Sequence, residues 1–405
     1  MSDRTTTTDP NLHSLPTTAL ARAAANPGPP RILLSAGEPS GDMHGAALAS
    51  ALLRAWPNAE LFGLGGDAMA AAGVRLYAHT RQLAVMGFVE VLRHLPFFVR
   101  LWRDVKQVIA DSQPDLVIPI DYPGFNMRLA RHAKTNRIPV LYFIAPQVWA
   151  WHRSRMRQLA AHVDRLAVVL PFEEPLFREA GANVRFVGHP LSDVTDASPT
   201  RSAFCARLGL DPARYILALF PGSRGQEVER HLPLFQAATR SVQAHMPEVQ
   251  PVLAASPAVS SRVYRASGMP FTGDANELLA HARAALVKSG TTTLQTGLAG
   301  VPMVVTYQMH PITYRLARTL VDVPHIALVN LVAGGRVVPE LIQDAASPDA
   351  LAQAVLPLLQ DSAARETMRH ALARVREKLA GPADGLSAAD RVATLAAELI
   401  AAPRT

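Results

Sequence analysis

Short apolar runs recur along this chain, each followed by a turn and then a longer stretch with helical spacing. Runs at 31–36, 59–64, 74–76, 116–120, 139–144, 166–170 and 184–188 fill the first half. Runs at 215–220, 251–255, 284–287 and 301–306 follow in the second. Apolar runs of this length, unbroken by alternating polar positions, fit strands covered on both faces of a parallel sheet. Helical patterns between them, such as 46–56 and the segment around Met127 and Leu129, complete repeated βα units, and the chain beyond Pro348 reads as helical throughout. The pattern therefore predicts an α/β protein of two similar halves, with no shorter internal repeat.

One stretch departs from this alternation. Between Leu83 and Ile109 apolar and aromatic residues are mixed with Arg93, Arg100, Arg103 and Lys106. Leu95, Phe98, Leu101, Trp102, Val105 and Val108 or Ile109 share one helical face and suit an ordinary core helix. Val89, Leu92, Phe97 and Val99 fall off that face. A wide apolar surface flanked by Arg and Lys also suits an interfacial helix on anionic lipid, or a site for acyl chains. Both readings account for the pattern.

At 405 residues the chain is long enough for two full cores, and 49% hydrophobic with 18% charged residues describes a globular protein. The net charge of +7 favours an anionic partner. No dense Lys/Arg run with interleaved aromatics is present, which argues against nucleic acid. The single Cys205 excludes an intramolecular disulfide and any cysteine-based zinc spacing, and reads as a small apolar residue on a helix. Residues 1–30, rich in Thr, Asn, Pro and Ala, read as a disordered extension. No apolar segment approaches the roughly 20 residues that a spanning helix needs.

The turns carry the chemistry. The run 215–220 breaks at Pro221-Gly222 and gives way through Ser223-Arg224-Gly225 to a helix. A glycine turn feeding a helix start presents unpaired N–H groups to an anion, and Arg224 adds a forked donor suited to phosphate. Ser289-Gly290-Thr291 repeats the device after the run 284–287. Two such turns in one half suggest the two phosphates of a nucleotide diphosphate. The first turn of the chain, Gly37 to Gly45, lacks the dinucleotide spacing. Its Glu38 and Asp42 would repel a pyrophosphate, so it suits a hydroxyl-rich or cationic group. Asp121, at the end of the run 116–120, faces the crevice where α/β proteins bind ligands. It is a candidate general base, unless it merely caps the following helix. Trp149 and Trp151 follow another strand end, where they could line a cleft or plug a junction. No Asp-X-Asp pair occurs, so helix starts and Arg224, rather than a metal, would neutralise a leaving diphosphate.

Seven segments in order resemble one family. They are 35–42 (SAGEPSGD), 84–92 (AVMGFVEVL), 120–126 (IDYPGFN), 145–151 (APQVWAW), 221–225 (PGSRG), 289–291 (SGT) and Asn330-Leu331 with Ala333-Gly334. In these the chain resembles lipid-A-disaccharide synthase from Ile32 to about Leu399. The resemblance implies a GT-B glycosyltransferase, with two Rossmann-like βα domains facing a central cleft and C-terminal helices. The domains would be 31–192 for the acceptor and membrane, 193–365 for the UDP-sugar, and 366–405 as a helical tail. It implies inverting, metal-independent transfer of 2,3-diacylglucosamine from its UDP conjugate to the 6-hydroxyl of 2,3-diacylglucosamine 1-phosphate, with no cofactor. The work would be done peripherally on the inner face of the inner membrane, against an anionic lipid surface, and a homodimer is admitted. Asp121 is then the base with Glu38 nearby, Arg224 stabilises the leaving diphosphate, and Asn330 is a further functional residue. Gly222, Ser223, Ser289, Gly290, Thr291 and Gln295 would hold UDP. Val85, Met86, Phe88, Val89, Leu92, Arg93, Leu95, Phe97, Phe98, Arg100 and Trp102 would meet lipid or acyl chains.

Two positions depart from the family pattern. Gln295 stands where a carboxylate usually binds the ribose, and Gly124 replaces an often acidic residue. A UDP-sugar epimerase, or a silent binder of UDP-sugar or lipid, remain the alternatives. An epimerase has no use for the basic apolar stretch.

Overall fold

The computed structural model describes residues 28–83, 95–150, 153–193, 199–310, 314 and 323–402. They form two compact units, each built on a wholly parallel sheet. The first sheet has seven strands: β1 (Arg31–Ala36), β2 (Glu60–Gly65), β3 (Arg75–His79), β4 (Leu116–Ile120), β5 (Leu141–Phe143), β6 (Arg165–Val168) and β7 (Val184–Phe186). Their order is β3-β2-β1-β4-β5-β6-β7. The second has six strands in the order β10-β9-β8-β11-β12-β13. Here β8 is Tyr215–Phe220, β9 Val249–Ala254, β10 Phe271–Thr272, β11 Ala284–Lys288, β12 Met303–Tyr307 and β13 Glu340–Ile342.

The unbroken apolar runs are explained by this layout. Every residue of β4, and all but the first of β1 and of β8, is buried. The strands expected at 31–36, 116–120 and 215–220 occupy those residues. The helix expected from Ala46 begins earlier, at Pro39, and runs to Ala55. Proline fits a first helical turn because it lacks the N–H that would be unpaired there. The Ser40-Gly41-Asp42 stretch is therefore helix, and only Gly37 and Glu38 separate it from β1.

The chain divides differently from the sequence reading. The first unit takes the described residues up to Val169, Glu173–Pro190 and those from Pro382 onward. The last helix, Ala388–Ala401, belongs to it, whereas helix Ala363–Leu379 belongs to the second. No single tail runs from 366 to 405. Helix Ala388–Ala401 starts with a reciprocal Ser387/Asp390 capping box, and Arg54 of helix Pro39–Ala55 donates to Asp390. Arg391, nearly buried, donates to the carbonyls of Val187 and Pro382 and to the Asp384 carboxylate. Such a tie is long in sequence and invisible to periodicity.

Truncating Arg391 to methionine keeps volume but leaves those carbonyls unpaired. R391M should destabilise the protein by about 3 kcal/mol. Urea denaturation followed by circular dichroism measures this, and a loss under about 0.5 kcal/mol would deny Arg391 its anchoring role.

Candidate active site

In the first sheet the strand order reverses between β1 and β4, where Ala36 is the register partner of Ile120. Such a reversal opens a crevice outside the carboxyl ends of the strands. Gly37-Glu38 leaves β1 and Asp121-Tyr122 leaves β4 at that place. Two residues far apart in sequence are thus brought together by pairing alone.

Asp121 and Tyr122 both have left-handed backbone, with φ of 46° and 51°. For residues other than glycine this costs on the order of 1–3 kcal/mol each and persists only where neighbours impose it. Asn126 does so. It is fully buried, accepts the Ser35 hydroxyl at 2.7 Å, and its amide donates to the carbonyls of Ser35, Ile120 and Asp121. Tyr142 adds a hydroxyl hydrogen bond of 2.7 Å to the Asp121 carbonyl, and the Asp121 N–H donates to Phe143. Gly37 makes room: a Cβ there would lie 2.3 Å from the Tyr122 ring. Asn126 and Tyr142 were not singled out from sequence. Asn126 lies in the segment 120–126 and Tyr142 only in the apolar run 139–144, and the roles of both depend on contacts across the sheet.

Asp121 is half-buried, and burial followed by the nearby Glu38 charge pushes its carboxyl up to about 6, against the pull of the Tyr122 N–H. That is the range of a working general base. Asp42 has a different duty. Its carboxylate accepts the N–H groups of Gly66 (2.6 Å), Ala68 (3.0 Å) and Met69 (3.0 Å), holding helix Asp67–Ala71. Of the two acids in the first turn, Glu38 is the one whose charge reaches Asp121. Trp149 is buried and donates from its indole to Glu173 at 2.9 Å, so it plugs the first unit rather than lining a cleft. Trp151 lies outside the described residues.

The second sheet repeats the reversal between β8 and β11, where Phe220 pairs with Val287. Both anion-ready turns therefore lie side by side. Their N–H groups are not all open, however. Glu227, one turn into helix Gly225–His245, folds back so that its carboxylate accepts the Ser223 N–H at 2.9 Å. Lys288 binds its other oxygen at 2.7 Å, with Arg224 3.7 Å away. A Cβ on Gly222, where φ is +133°, would strike Glu227, so glycine is required twice over. Arg224 is the N-cap position and exposes its guanidinium. Glu227 and Lys288 were missed from sequence because a carboxylate inside a phosphate turn runs against the expected charge.

The remaining expected ligands divide. Thr291 is exposed and does not cap helix Thr292–Leu298 with its side chain. Ser289, by contrast, is buried and donates its hydroxyl to Ile326. Gln295 gives its amide N–H to the Asn276 side-chain oxygen at 2.7 Å. Asn330, assigned a functional role by resemblance, is fully buried. Its amide is spent on Val337, Val338 and Glu340, and Glu340 in turn accepts the N–H groups of Ile326 and Ala327. In this arrangement Asn330 supports, through Glu340, the backbone to which Ser289 is bonded.

On the apolar stretch, Val85, Met86, Phe88, Val89, Leu92 and Arg93 lie outside the described residues, and Leu95 opens helix Leu95–Ser112. Leu101, Val105 and Ile109 form its buried face. Trp102 packs edge-on against Phe125 and His132 at 5.7 and 5.5 Å, an internal contact. Phe97 and Phe98 are half-buried, while Val99, 54% exposed, and Arg100 face outward.

The raised Asp121 carboxyl has a stability consequence. The folded chain holds that proton more tightly than the unfolded chain, so ionisation costs stability as pH rises from about 4 through about 6. D121N should therefore stabilise the protein at pH 7.5 by up to about 3 kcal/mol, a gain that shrinks towards pH 4. Paired urea titrations at the two pH values measure it, and destabilisation at pH 7.5 would contradict the assigned environment. His44 and His189 act oppositely. Burial brings His44 down to about 4, and burial with the His44 charge brings His189 down to about 3. Their stabilisation is lost as pH falls below about 6.5, where the unfolded imidazoles protonate first.

The family model described as lipid-A-disaccharide synthetase matches residues 32–389. A lipid-A-disaccharide synthase of Geobacter sulfurreducens is 42% identical over 356 residues, covering 86% of this chain and 93% of its own. Among solved structures, the glycotransferase of kitacinnamycin has a TM-score of 0.60 at 19% identity, covering 92% of this chain and 100% of its own. A UDP-GlcNAc 2-epimerase from Neisseria meningitidis bound to UDP-GlcNAc gives 0.55 at 9% identity, covering 91% and 98%. At such identities these two likenesses are of the fold, two Rossmann-like units of the GT-B type. The match across nearly the whole chain decides the rest: this chain belongs to the lipid-A-disaccharide synthase family of glycosyltransferases.

Proposed function

We propose that the chain transfers 2,3-diacylglucosamine from UDP-2,3-diacylglucosamine to the 6-hydroxyl of 2,3-diacylglucosamine 1-phosphate, releasing UDP. The observation that carries this is Asp121: a strained, clamped carboxylate at a strand-order reversal, with its pKa raised to about 6. In one displacement Asp121 takes the proton of the acceptor hydroxyl while that oxygen attacks the anomeric carbon. The bond to the diphosphate breaks with inversion, and its electron pair leaves with UDP. Arg224 and the positive N-terminal end of helix Gly225–His245 would hold the charge that develops there. Thr291 and the neutral Gln295 would meet the donor's hydroxyl groups and phosphates.

Membrane contact is part of the same proposal. Among the described residues no helix is long and apolar enough to cross a membrane. Val99 and Arg100, outward on helix Leu95–Ser112, offer an apolar and a basic group side by side. This combination suits acylated, anionic substrates at a lipid surface.

The test is a detergent-micelle assay following UDP and the disaccharide by mass spectrometry. D121A should lower kcat by at least about 1,000-fold with UDP affinity kept within a few-fold. An equal loss of UDP affinity would reassign Asp121 to donor binding. For the wild type, kcat/KM should fall as pH drops through about 6 and recover on return to pH 7.5, which separates titration of Asp121 from unfolding. An epimerised UDP-sugar with no disaccharide would favour the isomerase alternative. The double variant V99D/R100E should weaken binding to phosphatidylglycerol vesicles by about tenfold in sedimentation assays. Unchanged binding would remove this helix from the contact surface.

A further inference from the structure

Lys288 ends β11 and stands between the two turns. Its amino group is 2.7 Å from Glu227 Oε1 and 5.2 Å from the centroid of the Tyr307 ring. It is also 3.8 Å from the place a Cβ on Gly290 would take. Its side chain is only 14% exposed and that of Glu227 15%. The second Glu227 oxygen binds the Ser223 N–H. A single carboxylate thus joins a helix-start N–H to a lysine, the ligand pair that a phosphate oxygen would use.

A purely structural ion pair would have little reason to lie in a glycine turn. Placed there, Glu227 halves the local positive charge of Lys288 and Arg224 and blocks the Ser223 N–H. His231 holds the helix that carries it. Its Nδ1 lies 2.8 Å from the Glu227 carbonyl and its Nε2 accepts the Gln308 N–H at 3.0 Å, an arrangement that fixes the neutral ring. The carboxylate has a nearby alternative partner in Arg224 at 3.7 Å.

We propose that Lys288 is a ligand of the donor's diphosphate, and that Glu227 is an internal stand-in for a phosphate oxygen which the donor displaces. This rests on the transferase reading above and adds a residue to it. Before the donor arrives, Glu227 holds the Lys288 amino group in place across both turns. When the diphosphate binds, its oxygens take Lys288 and the Ser223 N–H in place of the Glu227 carboxylate, and Arg224 stays with the diphosphate. Return of Glu227 favours release of UDP.

The experiment is calorimetric titration of UDP into the full chain and its variants at pH 7.5. Uridine binding is followed in parallel by saturation-transfer NMR. K288M should lose about 30-fold in UDP affinity and keep its uridine signal, and K288R should recover most of the loss. E227Q, which removes the competing charge, should bind UDP about three- to tenfold more tightly. UDP binding by K288M equal to that of the wild type overturns the proposal, as does E227Q weakening UDP as K288M does. Loss of uridine and UDP together in K288M marks damage to the fold, and E227Q then decides alone. If the wild type binds no UDP and forms no disaccharide, the transferase reading fails and this proposal with it. Wild-type activity with an unchanged K288M removes the proposal only.

Discussion

One amide side chain fixes the first unit's chemistry. Asn126 ties the ends of β1 and β4 by bonding Ser35, Ile120 and Asp121 at once, with no contact to solvent. Asp121 and Tyr122 are held in a backbone conformation they would leave if free. That conformation places the carboxylate where burial and Glu38 raise its pKa. A base poised near neutrality is thus a product of packing: the sheet supplies the reversal, Asn126 the strain, and Gly37 the space for Tyr122.

The second unit solves a related problem with opposite charges. Two adjacent turns that bring together a helix start, Arg224 and Lys288 would carry strong positive charge without a carboxylate among them. Glu227 offsets it by binding Lys288 and the Ser223 N–H. Burial pushes the Glu227 carboxyl up, but the hydrogen bond and charge of Lys288, the Ser223 N–H and Arg224 together bring it below the usual range. It stays ionised and the cradle stays organised. Behind it, the Asn330–Glu340 pair supports the backbone at Ile326, to which Ser289 is bonded. Of the residues expected around UDP, Arg224 and Thr291 are exposed, whereas Ser289 is buried with its hydroxyl on Ile326.

The last helix adds a further constraint. Arg391 joins helix Ala388–Ala401 to the end of β7 through Val187, so the chain closes the first unit only after the second has been completed in sequence. Folding the first unit to its final state thus needs residues from both ends of the chain. Such contacts carry a loop-closure cost that local helix formation does not.

The sequence by itself determined the architecture and its vocabulary. Unbroken apolar runs of this length fit strands covered on both faces, and the glycine turns that follow them suit helix starts. β1, β4 and β8 accordingly lie where the runs lie. Asp121, Arg224 and both turns were legible because each follows such a run directly. Tertiary structure decided which groups are free to act. Burial of Asn330, the engagement of Ser289 with Ile326, the diversion of Asp42 to three backbone N–H groups, and the pairing of Glu227 with Lys288 all involve partners 10 to 61 residues away. Periodicity records which face a residue occupies over a few turns of chain. It holds no information on the partner that satisfies a polar group across a sheet, and the availability of each group depends on that partner.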